Sequence, residues 1–263
     1  MRNESKEYTM VANLTSPAGT RRIGMLIDGD NAQPSLTDKM LAETSKYGLV
    51  TIRRIYGDWT ASNMGGWKDV LQTYAIQPIQ QFRYTTGKNA TDSAMIIDAM
   101  DLLYSGAIDG FCLVSSDSDY TRLATRIREK GIFVMGIGKK TTPRAFVNAC
   151  DVFVYTQNLI PEDNGQKNAV GQRKPAAGAP AEAATPDPLP LLRSAFDLAA
   201  QDDDWAFLGT LGHHLRQLDP GFDSRTYGYK QLSLLIRAYP KIFSIKEVKS
   251  PDGNSVISVR LKE

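Results

Sequence analysis

The sequence predicts a three-layer α/β/α domain with a mostly parallel sheet, followed by a small α+β domain. Between Arg22 and Tyr155, six short apolar runs alternate with segments of helical apolar spacing. That alternation is typical of a parallel sheet covered by helices on both faces. Further along, three helical segments precede two segments that alternate apolar and polar residues, which indicates helices packed on a hairpin.

Each strand of the first domain is predicted from an apolar run bounded by polar or turn-forming residues. No glycine-rich phosphate loop follows the first run, which argues against a dinucleotide-binding fold. The strands are predicted at residues 22–27, 49–56, 76–82, 111–114, 132–137 and 151–155. The helices are predicted at about 34–47, 67–74, 91–104, 120–130 and 143–149.

The segment from Phe111 to Tyr120 is a buried strand that ends in two aspartates, Asp117 and Asp119, and leads into a helix. The carboxyl edge of a parallel sheet is where open α/β sheets bind ligands. We therefore expect both carboxylates in a binding site at that edge. The alternative is that Asp117 or Ser118 only caps the helix that follows.

Two more aspartates are predicted to reach the same edge. Asp28 follows the first strand directly, in the segment Asp28-Gly29-Asp30-Asn31, where Gly29 is expected to let the chain turn sharply beside a ligand. Asp92 lies on the apolar stripe of a helix that should begin at this edge in a right-handed crossover. Asp98 lies about two-thirds of a turn further round that helix, so Asp98 and Asp30 are expected near the cluster.

Composition excludes several classes of protein. The 263 residues are 42% hydrophobic, which suffices for one large core or two domains. No apolar run is long enough to span a bilayer and no signal-peptide pattern opens the sequence, so we expect a cytoplasmic protein. Two cysteines and the adjacent His213 and His214 provide neither a disulfide framework nor a zinc site. A net charge of +2 does not by itself indicate nucleic-acid binding.

Composition also divides the chain, because a Gly-, Ala- and Pro-rich stretch follows Pro161. We predict a flexible arm at residues 1–20, the α/β/α domain at 21–160, a flexible linker at 161–187 and the second domain at 188–263. In the second domain, helices are predicted at 189–200, 206–217 and 229–238, and hairpin strands at 242–248 and 255–261. That plan indicates a winged-helix domain.

Converging carboxylates point to a divalent metal ion, because they repel one another unless a cation lies among them. Oxygen-only ligands favour Mg²⁺ or Mn²⁺, and such an ion can neutralise charge on a phosphodiester. Basic side chains and one loop tryptophan are candidates for nucleic-acid contact, although solvated lysines and a tryptophan that covers the core are the alternative. The candidates are Arg83, Lys88, Lys139, Lys140 and Trp59 in the first domain and Lys230, Arg237 and Lys241 in the second.

Three segments of the first domain resemble the motifs of NYN domains, a branch of the PIN-like nuclease superfamily. They are Ile27-Asp28-Gly29-Asp30-Asn31, Lys88 with Asp92 and Asp98, and Val114-Ser115-Ser116-Asp117-Ser118-Asp119-Tyr120. The resemblance implies a Mg²⁺- or Mn²⁺-dependent ribonuclease whose acidic metal site comprises Asp28, Asp92, Asp117 and Asp119. It implies that Asn31 orients a ligand or water. Ser116 stands where many members have glycine.

The second domain resembles the LOTUS (OST-HTH) winged-helix module. The residues that carry the resemblance are Asp219-Pro220-Gly221-Phe222-Asp223 and Tyr227-Gly228-Tyr229-Lys230-Gln231-Leu232, ahead of Leu235 and Phe243. The resemblance implies RNA binding, in some members of structured or G-rich RNA, and in some members binding of an RNA helicase.

The leading interpretation is an endoribonuclease that holds RNA through its second domain. One alternative is a non-catalytic RNA-binding or scaffold protein in which the acids are structural or a vestigial metal site. Another is a haloacid-dehalogenase-like phosphatase with Asp28 as nucleophile and Asp30 as acid. Against it, Ala32 stands where that family expects Thr or Val, and no cap domain is evident.

Overall fold

The computed structural model of the chain describes residues 20–82, 90–160, 186–200, 204–249 and 255–262. The predicted arm before Thr20, the predicted linker from 161 to 185, and Arg83 and Lys88 lie outside these residues. The six predicted strands are confirmed and form one sheet in the order β3-β2-β1-β4-β5-β6, with every neighbouring pair parallel. They are β1 (Arg22–Asp28), β2 (Leu49–Gly57), β3 (Gln77–Gln80), β4 (Gly110–Val114), β5 (Phe133–Gly138) and β6 (Val152–Tyr155).

Helices cover both faces of this sheet, which confirms the three layers. Side chains alternate along β1, so that Leu26 enters one apolar cluster while Met25 and Ile27 enter the other. Both faces are buried, which is why the strand reads as a continuous apolar run. One face packs against α1 (Thr37–Ser45) and α2 (Lys68–Thr73), and the other against α3 (Ala90–Ser105), α4 (Thr121–Glu129) and α5 (Arg144–Ala149).

The strand order places β1 and β4 side by side at the centre of the sheet. From β1 the chain proceeds to β2 and β3 on one side, and it then returns to β4 on the other. Ile27 pairs with Val114, so the segments that follow the two strands leave the sheet next to each other. In doubly wound sheets such a reversal opens a crevice at the carboxyl edge, where ligands bind.

The C-terminal domain has its own sheet and its own apolar core. Its elements are α6 (Leu189–Ala199), β7 (Ala206–Phe207), α7 (Leu208–Leu218), α8 (Leu232–Arg237), β8 (Phe243–Lys249) and β9 (Ser255–Leu261). The predicted hairpin is confirmed as the antiparallel pair β8–β9. No helix in the described part of the chain has the length and apolar character needed to cross a membrane.

Two predictions for this domain were wrong in detail. Ala206 and Phe207 do not begin the second helix, because they pair with Val259 and Ser258 as a third strand. A two-residue strand leaves too little periodicity to be read from the sequence. The third helix begins at Leu232 rather than 229, because Gly228 has a φ of 82° and Gln231 is extended.

Asp98 fastens α3 to β2. Its carboxylate accepts hydrogen bonds from the Tyr56 hydroxyl and the Arg54 guanidinium. Tyr56 is completely buried, and burial together with the Asp98 hydrogen bond raises the pKa of Tyr56, so its hydroxyl remains a donor. Asp98 therefore acts on the acidic site indirectly, by fixing the helix whose first turn carries Asp92.

Replacing Asp98 with alanine should destabilise the protein by roughly 2–4 kcal/mol, because it leaves the buried Tyr56 hydroxyl and Arg54 without their acceptor. The midpoint of thermal unfolding, followed by circular dichroism, measures the effect. Asp101→Ala is the matched control, since Asp101 lies on the same helix but is exposed. Equal midpoints for the two variants would contradict the assigned role of Asp98.

Candidate active site

Three carboxylates meet at the carboxyl edge of the sheet, beside the β1–β4 pair. One oxygen from each of Asp92, Asp117 and Asp119 lies within 4.8 Å of the other two, close enough for one metal ion to contact all three. Asp92 comes from the first turn of α3, and Asp117 and Asp119 follow β4. Asp119 is exposed, so the cluster is open to solvent on that side.

Asp28 lies near Asp92 but is not one of the three grouped acids. Its carboxylate is 1% exposed and accepts three hydrogen bonds, from Asn31 Nδ2 at 2.6 Å, Ser115 Oγ at 2.8 Å and the Asp30 backbone N–H at 3.1 Å. Burial is the main cause that raises the pKa of Asp28, and the charge of Asp92 adds to it. A carboxylate offers about four acceptor positions, so one remains for a cation.

Asp92 is a member of the three-acid group, and its pKa is raised. Burial raises the pKa of Asp92, and the charges of Asp117, Asp119 and Asp30 raise it further. Tyr120 acts in the opposite direction, because its hydroxyl donates a hydrogen bond of 2.8 Å to Asp92 Oδ1. The site thus gathers negative charge that a divalent cation would offset. Oxygen donors alone suit Mg²⁺ or Mn²⁺.

Asp117 caps a turn and also belongs to the three-acid group. Its Oδ1 accepts the Asp119 backbone N–H at 2.9 Å and so caps the short 3₁₀ turn Ser118–Tyr120. The same carboxylate is a member of the three-acid group. The cap fixes the spacing of Asp117 and Asp119, so the capping role supports the site.

Gly29 is needed for contact within the protein. A Cβ at this position would lie 2.8 Å from the Tyr56 carbonyl oxygen, to which the Gly29 N–H donates a hydrogen bond of 2.9 Å. This crowding from the neighbouring strand accounts for the glycine. The expected ligand beside Gly29 stays a prediction.

The other predicted residues divide by position. Asp30 is close enough for its charge to raise the pKa of Asp92, and its carboxylate accepts a hydrogen bond from Asn63. Asp98 contacts β2 instead of the acids. Lys139 borders the site, since its backbone N–H donates to Ser116 Oγ at 2.9 Å, and Lys140 beside it is exposed.

The candidate aromatic and basic residues outside the site have other surroundings. Trp59 is half-buried against the core, and its indole N–H donates to the Ile79 carbonyl at 3.1 Å. Lys230 and Lys241 are exposed on the C-terminal domain. Arg237 is also exposed and lies 3.5 Å from a carboxylate oxygen of Glu247.

Sequence reasoning missed two donors that organise the acids, Ser115 and Tyr120. Both stand in the segment that carries Asp117 and Asp119, where the sequence pattern predicts only the end of a strand and the start of a helix. Tyr120 is completely buried, and a buried hydroxyl needs a partner. Applied to a tyrosine that is expected to be buried next to two aspartates, this rule would have predicted that Tyr120 donates a hydrogen bond to a carboxylate.

Fold and site together define a PIN-like α/β/α domain joined to a small α+β domain. The NYN domain family matches residues 22–159, just over half of the chain, and the OST-HTH/LOTUS domain family matches residues 182–254. The chain therefore belongs to the NYN domain family and carries a C-terminal OST-HTH/LOTUS domain.

The chain is similar to three proteins that are described as uncharacterized or of unknown function. An uncharacterized protein of Methanocaldococcus jannaschii is 30% identical over 124 residues, which are 46% of this chain and 48% of that protein, so the chain spans about half the length of this relative. A crystal structure from Vibrio parahaemolyticus, of unknown function, is 17% identical with a TM-score of 0.45, over 53% of this chain and 95% of that one. A solution structure of an uncharacterized protein from Nitrosomonas europaea is 34% identical with a TM-score of 0.28, and the match covers 37% of this chain and 92% of that one.

Removing the Tyr120 hydroxyl should raise the pKa of Asp92 further, because a hydrogen bond to the ionised carboxylate is lost. The Tyr120→Phe variant would then lose the negative charge of Asp92 at a higher pH than the wild type as the pH falls. A ¹³C NMR titration of the Asp92 carboxyl measures this. Tyr104→Phe is the control, since the exposed Tyr104 hydroxyl contacts Arg126 instead. An unchanged titration in Tyr120→Phe would rule out the assigned interaction.

Proposed function

We propose that this protein is a metal-dependent endoribonuclease that hydrolyses RNA phosphodiesters at the acidic cluster and holds the RNA with its C-terminal domain. The observation that carries the proposal is the convergence of Asp92, Asp117 and Asp119 within 4.8 Å at the ligand-binding edge of an NYN domain. NYN domains suggest a nuclease, and OST-HTH/LOTUS domains suggest RNA binding. This membership favours RNA hydrolysis over the phosphatase alternative.

The residues of the cluster fit a hard divalent cation. Asp92, Asp117 and Asp119 would hold Mg²⁺ or Mn²⁺, and Asp28 can contribute its remaining acceptor position. A cation bound there supplies charge neutralisation on the phosphate and activates water. The raised pKa of Asp92 supports this assignment, because mutual repulsion of the acids falls when a cation lies among them.

The chain's own side chains then divide the remaining work. Asn31 and Ser115 hold the Asp28 carboxylate in one orientation, and Tyr120 holds Asp92. Asp119 is the exposed acid of the group, so a cation and the RNA phosphate would reach the site from its side. The segment Lys139–Lys140 borders the cluster and offers positive charge to the phosphates that flank the cleaved bond.

The C-terminal domain supplies contacts that do not depend on the acids. Lys230, Arg237 and Lys241 are all exposed there, on and around α8. We assign them to contacts with the phosphate backbone. Each Lys or Arg contact displaces a cation that was associated with the RNA, so the affinity for RNA falls as the salt concentration rises. Trp59 is the remaining candidate for stacking on a base, through the exposed part of a ring whose other side packs on the core.

Cleavage of labelled single-stranded and structured RNA in Mg²⁺, Mn²⁺ or EDTA tests the activity. Asp117→Asn and Asp119→Asn should each lower the rate by roughly 10²- to 10⁴-fold, because each removes a charge that holds the cation. Asparagine still caps the turn at position 117, so the local structure is retained. Asp38→Asn, an exposed acid in the first turn of α1, should cleave like the wild type. Tight RNA binding without cleavage in any metal would instead establish the non-catalytic alternative.

Cation binding can be tested without RNA. Mn²⁺ should raise the midpoint of thermal unfolding of the wild type in a concentration-dependent way, because a ligand that binds only the folded state stabilises it. The increase should be lost in Asp119→Asn and unchanged in Asp38→Asn. The same increase in Asp119→Asn would show that the cation binds elsewhere.

A further inference from the structure

One loop of the C-terminal domain lies against the α/β/α domain. This docking loop, residues 219–227, follows α7 and crosses β6, the last strand of the sheet. The Phe153 backbone N–H donates a hydrogen bond of 2.8 Å to the Pro220 carbonyl. The loop thereby satisfies a backbone group at a sheet edge, where unpaired groups otherwise invite pairing with another chain.

A partly buried ion cluster holds the centre of the docking loop. Arg225 donates through two guanidinium nitrogens to the two carboxylate oxygens of Glu43, at 3.0 and 3.2 Å. Its NH2 group also contacts Asp223 at 2.6 Å. The Glu43 side chain is only 8% exposed, so the pair is shielded from the solvent that weakens surface ion pairs.

The ends of the docking loop make further contacts. Arg144 NH1 lies 3.2 Å from Asp219 Oδ1, and Asn158 Nδ2 donates to Thr226 Oγ1 at 2.9 Å. A Cβ on Gly221 would lie 2.8 Å from the Tyr155 hydroxyl and 3.1 Å from Val147 Cγ1. The glycine of the Asp-Pro-Gly-Phe-Asp segment is therefore required by the approach of the other domain.

A short series of contacts leads from the docking loop to the acidic cluster. Asn158, which contacts Thr226, stands next to Gln157, whose side chain accepts the Lys140 backbone N–H at 3.1 Å. Lys139 in turn donates to Ser116, the residue before Asp117. The segment Lys139–Lys140 thus lies between the cluster and the C-terminal domain along one edge of the sheet.

We propose that the docking loop fixes the C-terminal domain beside the acidic cluster, so that an RNA held by that domain passes over Lys139–Lys140 and is cleaved at a set distance from the bound element. This inference rests on the proposed nuclease function. It also implies that a protein partner can bind the docking loop only by displacing the α/β/α domain.

The dock itself is tested on the full-length chain without RNA. ¹⁵N relaxation gives a rotational correlation time for each domain, and the two times should be equal in the wild type. Glu43→Arg places two cations face to face, and Gly221→Val crowds Tyr155 and Val147, so each variant should give two shorter and unequal times. Glu129→Arg is the matched charge reversal on α4, at an exposed residue, and should leave the times equal. Equal correlation times for the two domains in Glu43→Arg and Gly221→Val would contradict the assigned role of the docking loop. Dispersed spectra confirm that both domains stay folded.

Mapping of cleavage positions tests the functional consequence. The probe is a long single-stranded RNA carrying one structured G-rich element, and the wild type should cut it within a narrow window beside that element. Glu43→Arg should spread the cuts over many positions and leave the cleavage rate of a short unstructured RNA within about two-fold. An unchanged window in a variant whose domains tumble independently would overturn the proposal. If the wild type cuts no RNA, the proposed function and the set cleavage distance both fail, while the correlation times still decide the dock.

Discussion

The parallel pairing of β1 with β4 is the constraint on which the rest of the site depends. Because Ile27 pairs with Val114, the residues that leave the two strands must share one crevice. Asp28 then comes within 2.8 Å of the Ser115 hydroxyl, although the two are far apart in sequence. The same reversal of strand order makes room for α3 to begin beside them, which brings in Asp92. A sheet with these strands at opposite sides would scatter the same acids.

Keeping the acids charged and close together costs free energy, and hydrogen-bond donors offset part of that cost, each at one carboxylate. Burial disfavours the charged forms of Asp28 and Asp92, and their proximity adds to that cost. Asn31 and Ser115 offset it for Asp28, and Tyr120 offsets it for Asp92. Such donors favour the ionised form without neutralising it. The acids therefore remain available to a cation, which a lysine or arginine in the same place would prevent.

The sequence predicted the strands, the layers and the three acids that converge, because each leaves a local signal. An apolar run indicates a buried strand, and an acid directly after it indicates a position at the carboxyl edge of the sheet. Ser115 was missed because a serine hydroxyl gives no sign of its partner until the packing is known, whereas the position of Tyr120 beside two aspartates was a usable signal. Asp98 was expected near the acids. It lies on a different side of α3 from Asp92, and there its carboxylate accepts hydrogen bonds from Arg54 and Tyr56 of β2. Strand β7 was missed because two residues are too few for a periodic pattern.

The domain contact lies beyond sequence reasoning for a different reason. Glu43 and Arg225 are 182 positions apart, and each on its own looks like an ordinary charged residue of a solvated surface. What distinguishes them is their paired contact and the burial of Glu43, and both depend on how the two domains pack against each other. The edge of β6 makes such a meeting favourable, because its backbone N–H groups need acceptors and the Pro220 carbonyl provides one. The Arg225–Glu43 pair and the Phe153–Pro220 hydrogen bond both come from the docking loop, so they stabilise the same arrangement of the two domains. If the acidic site acts as proposed, it is open to solvent at Asp119 and has no walls of its own with which to select a position on RNA. The neighbouring domain, held in one place, would supply that selection.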